Sequence, residues 1–419
     1  MTNSGTILVV NSGSSSLKFT LYSNNVAADV SSAGVAQQRR YTRLANGTVE
    51  RIGLAGTNFI YKRGDEAKTE EIIQAADHGE ALAFATKILT DPARGVIPSL
   101  DSIDAIGHRV VHGGEIFKSS VVVDPVVIGA LKSLIPLAPL HNPPNIGGIE
   151  ACERLFKGKP NVAVFDTAFH QTMPDHASHY AIPRELYEKH GIRKYGFHGT
   201  SHRFVMLAAA EYLGKKPQDI NLITCHLGNG SSIAAIKNGA VVDTSMGMTP
   251  LDGLVMGSRC GCIDPAVVLM LMREGKTADE IDALLNKKSG LTGVGGINSG
   301  DMRDITGAAA SGTASAQLAY EMWVHRILLY IGGYAAVLGN VDAIVFTGGI
   351  GENHRAARHK LVSQFGFFGA TLDENANAAK NGPCHISTPE SKTAVIVIPT
   401  DEELMIAQET LAAVKNHAQ

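Results

Sequence analysis

The chain has 419 residues, with 37 Lys plus Arg against 40 Asp plus Glu and a formal charge of −3; two domains are expected at that length, and without a basic cluster a nucleic-acid partner is excluded. Five scattered cysteines (Cys152, Cys225, Cys260, Cys262, Cys384) with no Cys-x-x-Cys point to reduced thiols in a cytosol rather than a disulfide or zinc frame. No basic segment precedes the apolar N-terminal run, so no signal peptide is expected, and 327–341, interrupted by Gly332, Gly333 and Asn340, is too short to span a bilayer and reads as a buried helix.

In chain order, Thr6-Ile7-Leu8-Val9-Val10 reads as a strand, turns through Asn11-Ser12-Gly13-Ser14-Ser15-Ser16 and leaves through Leu17-Lys18-Phe19-Thr20-Leu21. Hairpins are expected to about residue 62, then a helix over 70–90 from its apolar spacing. A strand over 102–107 leads into the polar, glycine-stopped segment His108-Arg109-Val110-Val111-His112-Gly113-Gly114. A helix is expected from about Ile146, and 161–166 is a strand ending on Asp166. The second half repeats this grammar with a hairpin over 222–242, helices over 264–274, 277–285 and 314–338, strands over 342–346 and 394–398, and a closing helix. Alternating strands and helices make the class α/β. With no linker in sight, the boundary is placed from the repeat: 1–166, completed by 403–419, and 167–402.

The repeat itself is the main clue. Cys225 runs into His226-Leu227-Gly228-Asn229-Gly230-Ser231-Ser232 and out through Ile233-Ala234-Ala235, so Gly13 and Gly230 are each followed by Ser-Ser at a strand–turn–strand. Glycine lets backbone amides close on an anion, and successive N–H groups form an anion-binding nest. The competing reading is an ordinary hairpin, since Asn-Gly is itself a hairpin signal.

Further candidates lie at strand ends, where open parallel sheets place ligands. Arg109 and Arg259 sit in glycine-flanked loops and suit a phosphate or carboxylate; an ion pair such as Arg259 with Asp264 is the structural alternative. His198 precedes a helix that Thr200 or Ser201 could cap, and it either faces an anion there or is a satisfied loop histidine. Asp166 ends an apolar strand, where a carboxylate serves a metal or substrate. Asp401-Glu402-Glu403 either holds a metal or complements a helix dipole, with Thr400 and Glu403 as a capping box. There is no GxxxxGK[ST], no GxGxxG between strand and helix and no GxSxG, which removes P-loop, dinucleotide and serine-hydrolase readings.

The strings NSGSSSLKF from Asn11, HRVVHGG from His108, PLHNPP from Pro139, FDTAFHQ from Phe165, YGFHGTSH from Tyr195, HLGNG from His226, GSRCGCIDP from Gly257 and TGGIGEN from Thr347 resemble the acetate kinase (acetokinase) family in order along the whole chain. The resemblance implies two duplicated RNase H-like lobes of the actin-like ATPase superfamily, with ATP and the active site in the cleft between them. It implies an ATP-dependent, reversible phosphorylation of acetate to acetyl phosphate, in a cytoplasmic homodimer using magnesium, with manganese able to stand in. Asn11 and Glu402 match the magnesium positions, Lys18 a substrate or phosphate contact, Arg109 the carboxylate-binding arginine and Asp166 the catalytic acid. His198 and Arg259 match the transition-state stabilisers, with His141 a phosphate-side contact. His226, Leu227, Gly228, Asn229 and Gly230, then Asp301, Met302 and Arg303, then Gly349, Ile350, Gly351, Glu352 and Asn353 match the nucleotide segments. Val111, Leu140, Phe197 and Pro250 match a small pocket for the substrate methyl; extended backbone would put Val111 on the same side as Arg109. One departure is Asp401, where the family usually has Asn.

A carboxylate acceptor with a pKa of about 4 is already ionised at neutral pH, so the task is to bring two anions together by positioning and electrostatic stabilisation. Asp166 is read chiefly as orienting Arg109 or metal-bound water. Propionate kinase is the alternative activity, and an Hsp70- or actin-like ATP-driven module without an acyl acceptor is the alternative class.

Overall fold

The computed structural model describes residues 5–24, 41–378 and 382–417; residues 25–40, inside the stretch expected to form hairpins, lie outside that description. The chain separates into two compact units, Met1–Phe169 with Asp401–Gln419, and His170–Thr400.

Among the described residues the first unit holds one sheet in the order β5-β4-β3-β2-β1-β6-β8-β7. Its strands are β1 (Gly5–Ser12), β2 (Ser16–Asn24), β3 (Tyr41–Glu50), β4 (Thr57–Arg63), β5 (Thr69–Ile73), β6 (Ala105–Val110), β7 (Val121–Val122) and β8 (Asn161–Phe165). The second unit holds β9 (Asn221–Leu227), β10 (Ser231–Lys237), β11 (Ala240–Thr244), β12 (Ala343–Thr347), β13 (Cys384–His385) and β14 (Ala394–Val397), ordered β11-β10-β9-β12-β14-β13.

The two orders superimpose. Both begin with three antiparallel strands (β1–β3, β9–β11). Both continue with two parallel strands (β6 and β8, β12 and β14) and end on a short antiparallel one. The duplication read from the Gly-Ser turns is therefore a duplication of topology, and β4 and β5 extend the first copy.

Three expected boundaries move. Residues 69–73 do not begin a helix but pair with β4 as the edge strand β5; the helix His78–Leu89 starts where Asp77 accepts a hydrogen bond from the Glu80 N–H. Backbone pairing outweighs the helical spacing of a short apolar run there. The helix expected near Ile146 begins at Asn142, because Pro143 and Pro144 fit a first turn whose N–H groups have no partner in any case. The strand expected over 102–107 is Ala105–Val110, carried onward by parallel pairing to β1 and β8, so His108 and Arg109 are strand residues.

Helices cover both faces of each sheet. In the first unit, His78–Leu89 contributes Ala81, Leu82 and Ala85 to a core with Leu8, Val10 and Ile106. The helix Glu402–His417 meets the opposite face, where the position of a Cβ on Gly107 lies against Thr410 and Ile406. In the second unit, Ala314–Leu338 packs Trp323, Ile327 and Ile331 against Ile223, Cys225 and Phe346, while Gly199–Tyr212 lies on the face that carries Thr224. No helix among the described residues is long and apolar enough to cross a membrane.

Candidate active site

In the first unit the strand ends gather charge. Arg109, next to last in β6, donates from Nε to Asp166 Oδ1 at 2.9 Å and from Nη2 to Oδ2 at 2.6 Å. Asp166 follows β8 directly and its side chain is 1% exposed, against 24% for Arg109. Burial works against the guanidinium charge, but the facing carboxylate outweighs it and holds Arg109 firmly protonated. Nearby, Glu402 opens the helix Glu402–His417, within electrostatic reach of Arg109, Asp166 and Lys18; burial pushes its carboxyl pKa up. Asn11 stands opposite Lys18 in the β1–β2 ladder. Five expected site residues, Asn11, Lys18, Arg109, Asp166 and Glu402, thus converge in this unit.

Glu402 Oε1 is buried with no hydrogen-bond partner. A buried carboxylate oxygen left bare is costly unless something cationic faces it. A carboxylate oxygen of this kind and an amide oxygen such as that of Asn11 are hard donors, the chemistry that suits magnesium. The capping role falls elsewhere than expected. Thr400 N–H donates to Glu352 Oε1 at 3.1 Å, and the helix is capped by Asp401, whose Oδ1 accepts from the Leu404 N–H at 2.9 Å.

Three other expected residues belong to this unit. His141 is exposed just before the helix Asn142–Leu155, and Leu140 is 53% exposed. Val111 is buried with its N–H on Asn145 Oδ1, but β6 ends at Val110, so strand alternation does not align it with Arg109.

In the second unit His198 occupies the N-cap position of Gly199–Tyr212 with φ 57°, a left-handed conformation strained for a non-glycine residue. Thr200 and Ser201 do not cap this helix; both lie inside its first turn, Thr200 Oγ1 buried without a partner and Ser201 Oγ against His226 Nδ1 and Thr400 Oγ1, each at 2.8 Å. His198 Nδ1 contacts Ser232 Oγ at 2.9 Å, and its ring stacks on His226 with centroids 4.3 Å apart. Gly230 is the hinge of this cluster: a Cβ there would collide with Arg259 Nη2 and lie 3.6 Å from His198 Cε1. Arg259 also donates to the Pro250 carbonyl at 2.7 Å, while Asp264 caps the following helix through the Ala266 N–H, so the suggested Arg259–Asp264 pair is replaced by separate engagements. Phe197 is fully buried.

Beside this cluster lies a cavity of about 590 Å³, lined in part by Gly228, Asn229, Asp301, Met302, Arg303, Gly349, Ile350 and Asn353. Three strings distant in sequence therefore meet. Gly257 permits the closure, since a Cβ there would strike Asn229 Oδ1. Asp301 caps Met302–Ala310 and holds Arg303 bidentately, and those bonds pull its pKa down to about 2. Other expected residues fall outside the lining. Leu227 is core, Gly351 is buried behind the cavity wall, and Glu352 is tied to the N–H groups of Gly348 and Thr400. Sequence reasoning missed Gly257, Ser258, Thr292, Gly300 and His354 as lining residues; Gly257 and Ser258 sat inside a quoted string, whereas Thr292, Gly300 and His354 carried no pattern of their own.

Comparison with known proteins identifies the family. The pattern of the Acetokinase family matches residues 6–408. The acetate kinase of Clostridium novyi (strain NT) is 50% identical over 98% of this chain and 99% of its own length, and that of Caldicellulosiruptor saccharolyticus is 52% identical over 96% and 98%. Among solved structures, the acetate kinase of Porphyromonas gingivalis has a TM-score of 0.89 at 46% identity, covering 98% of this chain and all of its own. A propionate kinase from Francisella tularensis has a TM-score of 0.87 at 42% identity, covering 97% of this chain and 99% of its own. With a family pattern spanning nearly its whole length and full-length relatives at half identity, this chain belongs to the acetokinase family.

Proposed function

We propose that the chain transfers the γ-phosphoryl group of ATP to acetate, giving acetyl phosphate and ADP, and runs the reaction in both directions. The observation that carries the nucleotide half is the meeting of the Gly228-Asn229, Asp301–Arg303 and Gly349–Asn353 strings around one glycine-framed cavity. The Arg109–Asp166 pair carries the acyl half. Asp166 keeps Arg109 charged and aimed, and Arg109 holds the acetate carboxylate bidentately. We assign Lys18 and His141 to phosphate oxygens, and Val111, Leu140, Phe197 and Pro250 to the methyl group.

The acceptor is ionised before it arrives, so no base is needed, and the barrier is repulsion between two anions. Arg259 and His198 offset charge on the transferring group during in-line displacement. Asn11 and Glu402 would hold a magnesium ion, which when bound neutralises phosphate charge. We place the enzyme in the cytoplasm, consistent with free, reduced cysteines.

A homodimer is supported by an unusual helix in the second unit. Pro265–Arg273 is apolar, yet none of its residues is buried, and Val267, Leu269, Met270 and Met272 are all exposed. Arg326 ties the long helix, with its exposed Leu318, Met322 and Leu329, to the Cys262 carbonyl just before it. The occupant of this face is a second copy of the chain.

A propionate-preferring enzyme is the second reading, supported by the likeness to the Francisella protein; one methylene changes discrimination by only about 1–3 kcal/mol. Hydroxylamine trapping of the acyl phosphate with acetate, propionate and butyrate tests the proposal. Acetate-dependent ADP and hydroxamate are expected, with the highest kcat/KM on acetate, and Arg259→Leu should lower kcat by roughly 10³-fold. ATP hydrolysis indifferent to acetate would overturn it in favour of an ATP-driven module.

A further inference from the structure

Behind His198 a chain of hydrogen bonds runs into the core of the second unit. Ser232 Oγ lies 2.9 Å from His198 Nδ1 and 2.7 Å from His202 Nε2, and His202 Nδ1 lies 2.7 Å from Thr224 Oγ1. Local structure explains the alignment. His198 and His202 are four residues apart at the start of one helix, joined by the His202 N–H to the His198 carbonyl at 2.9 Å, so they share a face. Ser232 on β10 and Thr224 on β9 point to the sheet face that this helix covers, since Ser232 pairs with His226 and Ala234 with Thr224. His202, Thr224 and Ser232 are all 0% exposed.

We propose that Thr224, His202 and Ser232 form a proton-ordering relay that fixes His198 in the neutral tautomer carrying its hydrogen on Nε2; this rests on the reading of His198 as a stabiliser of the transferring phosphoryl group, and makes Ser232 and His202 positioning residues.

Proton counting leaves two self-consistent orders, and the role of His198 toward an anionic oxygen selects between them. A neutral imidazole has one donor and one acceptor, and each hydroxyl has one proton to give. In the order that we propose, the Thr224 hydroxyl donates to His202 Nδ1, which places the His202 hydrogen on Nε2, where it donates to Ser232 Oγ. The Ser232 proton then goes to His198 Nδ1, so the remaining hydrogen of His198 is on Nε2, a donor suited to an anionic oxygen. The reverse order would leave neutral His198 with a bare Nε2 lone pair, which repels phosphate.

The surroundings favour a neutral His202 ring. Burial, with His170 at 5.6 Å and His226 at 6.4 Å between ring centroids, holds the His202 pKa well below the ordinary range. Around His198 stand His226, stacked at 4.3 Å, and Arg259, whose Nη2 shares the space beside Gly230 with His198 Cε1. A second cation beside that guanidinium is disfavoured.

The test is long-range 1H–15N correlation on the full chain with ring-labelled histidine, alongside steady-state kinetics. The wild type should show His198 protonated on Nε2 alone. Ser232→Ala should release it into a mixture of tautomers and lower kcat roughly 10- to 100-fold, with KM for ATP and acetate moving less than about threefold. Thr224→Val, which keeps volume, should shift the His202 signals and lower kcat by a smaller factor. His198 found doubly protonated or protonated on Nδ1, or unchanged in Ser232→Ala, would overturn the relay. Full activity of His198→Asn would instead overturn the stabiliser role while leaving the tautomer result intact.

Discussion

The carboxylate of Asp401, present where the family resemblance led us to expect Asn, is committed on both oxygens. Oδ1 takes the Leu404 N–H and the Tyr22 hydroxyl, at 2.9 and 3.1 Å, and Oδ2 takes Arg43 Nη2 at 2.7 Å. A register shift between Leu21 and Tyr22 sets Tyr22 opposite Arg43, which also lies over the Tyr22 ring at 5.7 Å. The cap is the larger effect: losing it costs about 0.5–2 kcal/mol, whereas a pair as exposed as Arg43–Asp401 contributes about 0–1 kcal/mol. Asn caps as well as Asp. Asp401→Asn should therefore cost less than about 1 kcal/mol by chemical denaturation and leave half-saturating magnesium within about twofold, while Glu402→Ala should raise the magnesium requirement severely. A severalfold shift in Asp401→Asn would place Asp401 in the metal site. Arg109 and Asp166 could be picked out from the residues because each stands at the end of an apolar strand, whereas Asn11 and Lys18 were named only through the family resemblance. The Arg43–Tyr22–Asp401 contact was not legible, since it depends on a bulge and on a return of the chain across 358 positions.

At the scale of elements, the sequence was most readable where local chemistry and tertiary pairing agree. The two Gly-Ser hairpins, the helices expected from 264 and from 277, which prove to be capped by Asp264 and Thr277, and the helix Ala314–Leu338 all satisfy local rules and were placed accordingly. The helix expected over 70–90 failed in its first turns because an edge strand draws its stability from a neighbour, which no local pattern reports. Pro265–Arg273 raises the converse issue, a helix that no described residue of its own chain covers well enough to bury any of its side chains. If a second copy covers it, Met270→Glu should shift sedimentation from dimer to monomer with little change in Tm, because Met270 is 57% exposed within one chain. A wild-type monomer at assay concentration would refute the dimer.

For the whole molecule, buried neutral histidines set a pH limit. His108 is 2% exposed, donates from Nε2 to Asn161 Oδ1 at 2.8 Å, and burial lowers its pKa to about 4. Unfolded, it titrates near 6.5, so below that value the unfolded chain binds a proton that the folded chain refuses. Stability present above about pH 6.5 should be lost as pH falls towards about 4, by up to ~1.4 kcal/mol per pH unit per histidine, and then level off for this group. His108→Gln should flatten that slope in urea titrations; an unchanged slope would show that other groups dominate acid unfolding. The division of the chain has a different consequence, for synthesis. Residues 401–419 belong to the first unit although the whole second unit is translated before them. On the ribosome, the second unit can fold from contiguous sequence, while the first must wait with its β1, β6 and β8 face uncovered until the helix Glu402–His417 emerges. A nascent chain halted anywhere before Glu402 lacks both that covering helix and the carboxylate that we assign to magnesium, so incomplete products should be inactive as well as poorly packed, and open to quality-control proteases.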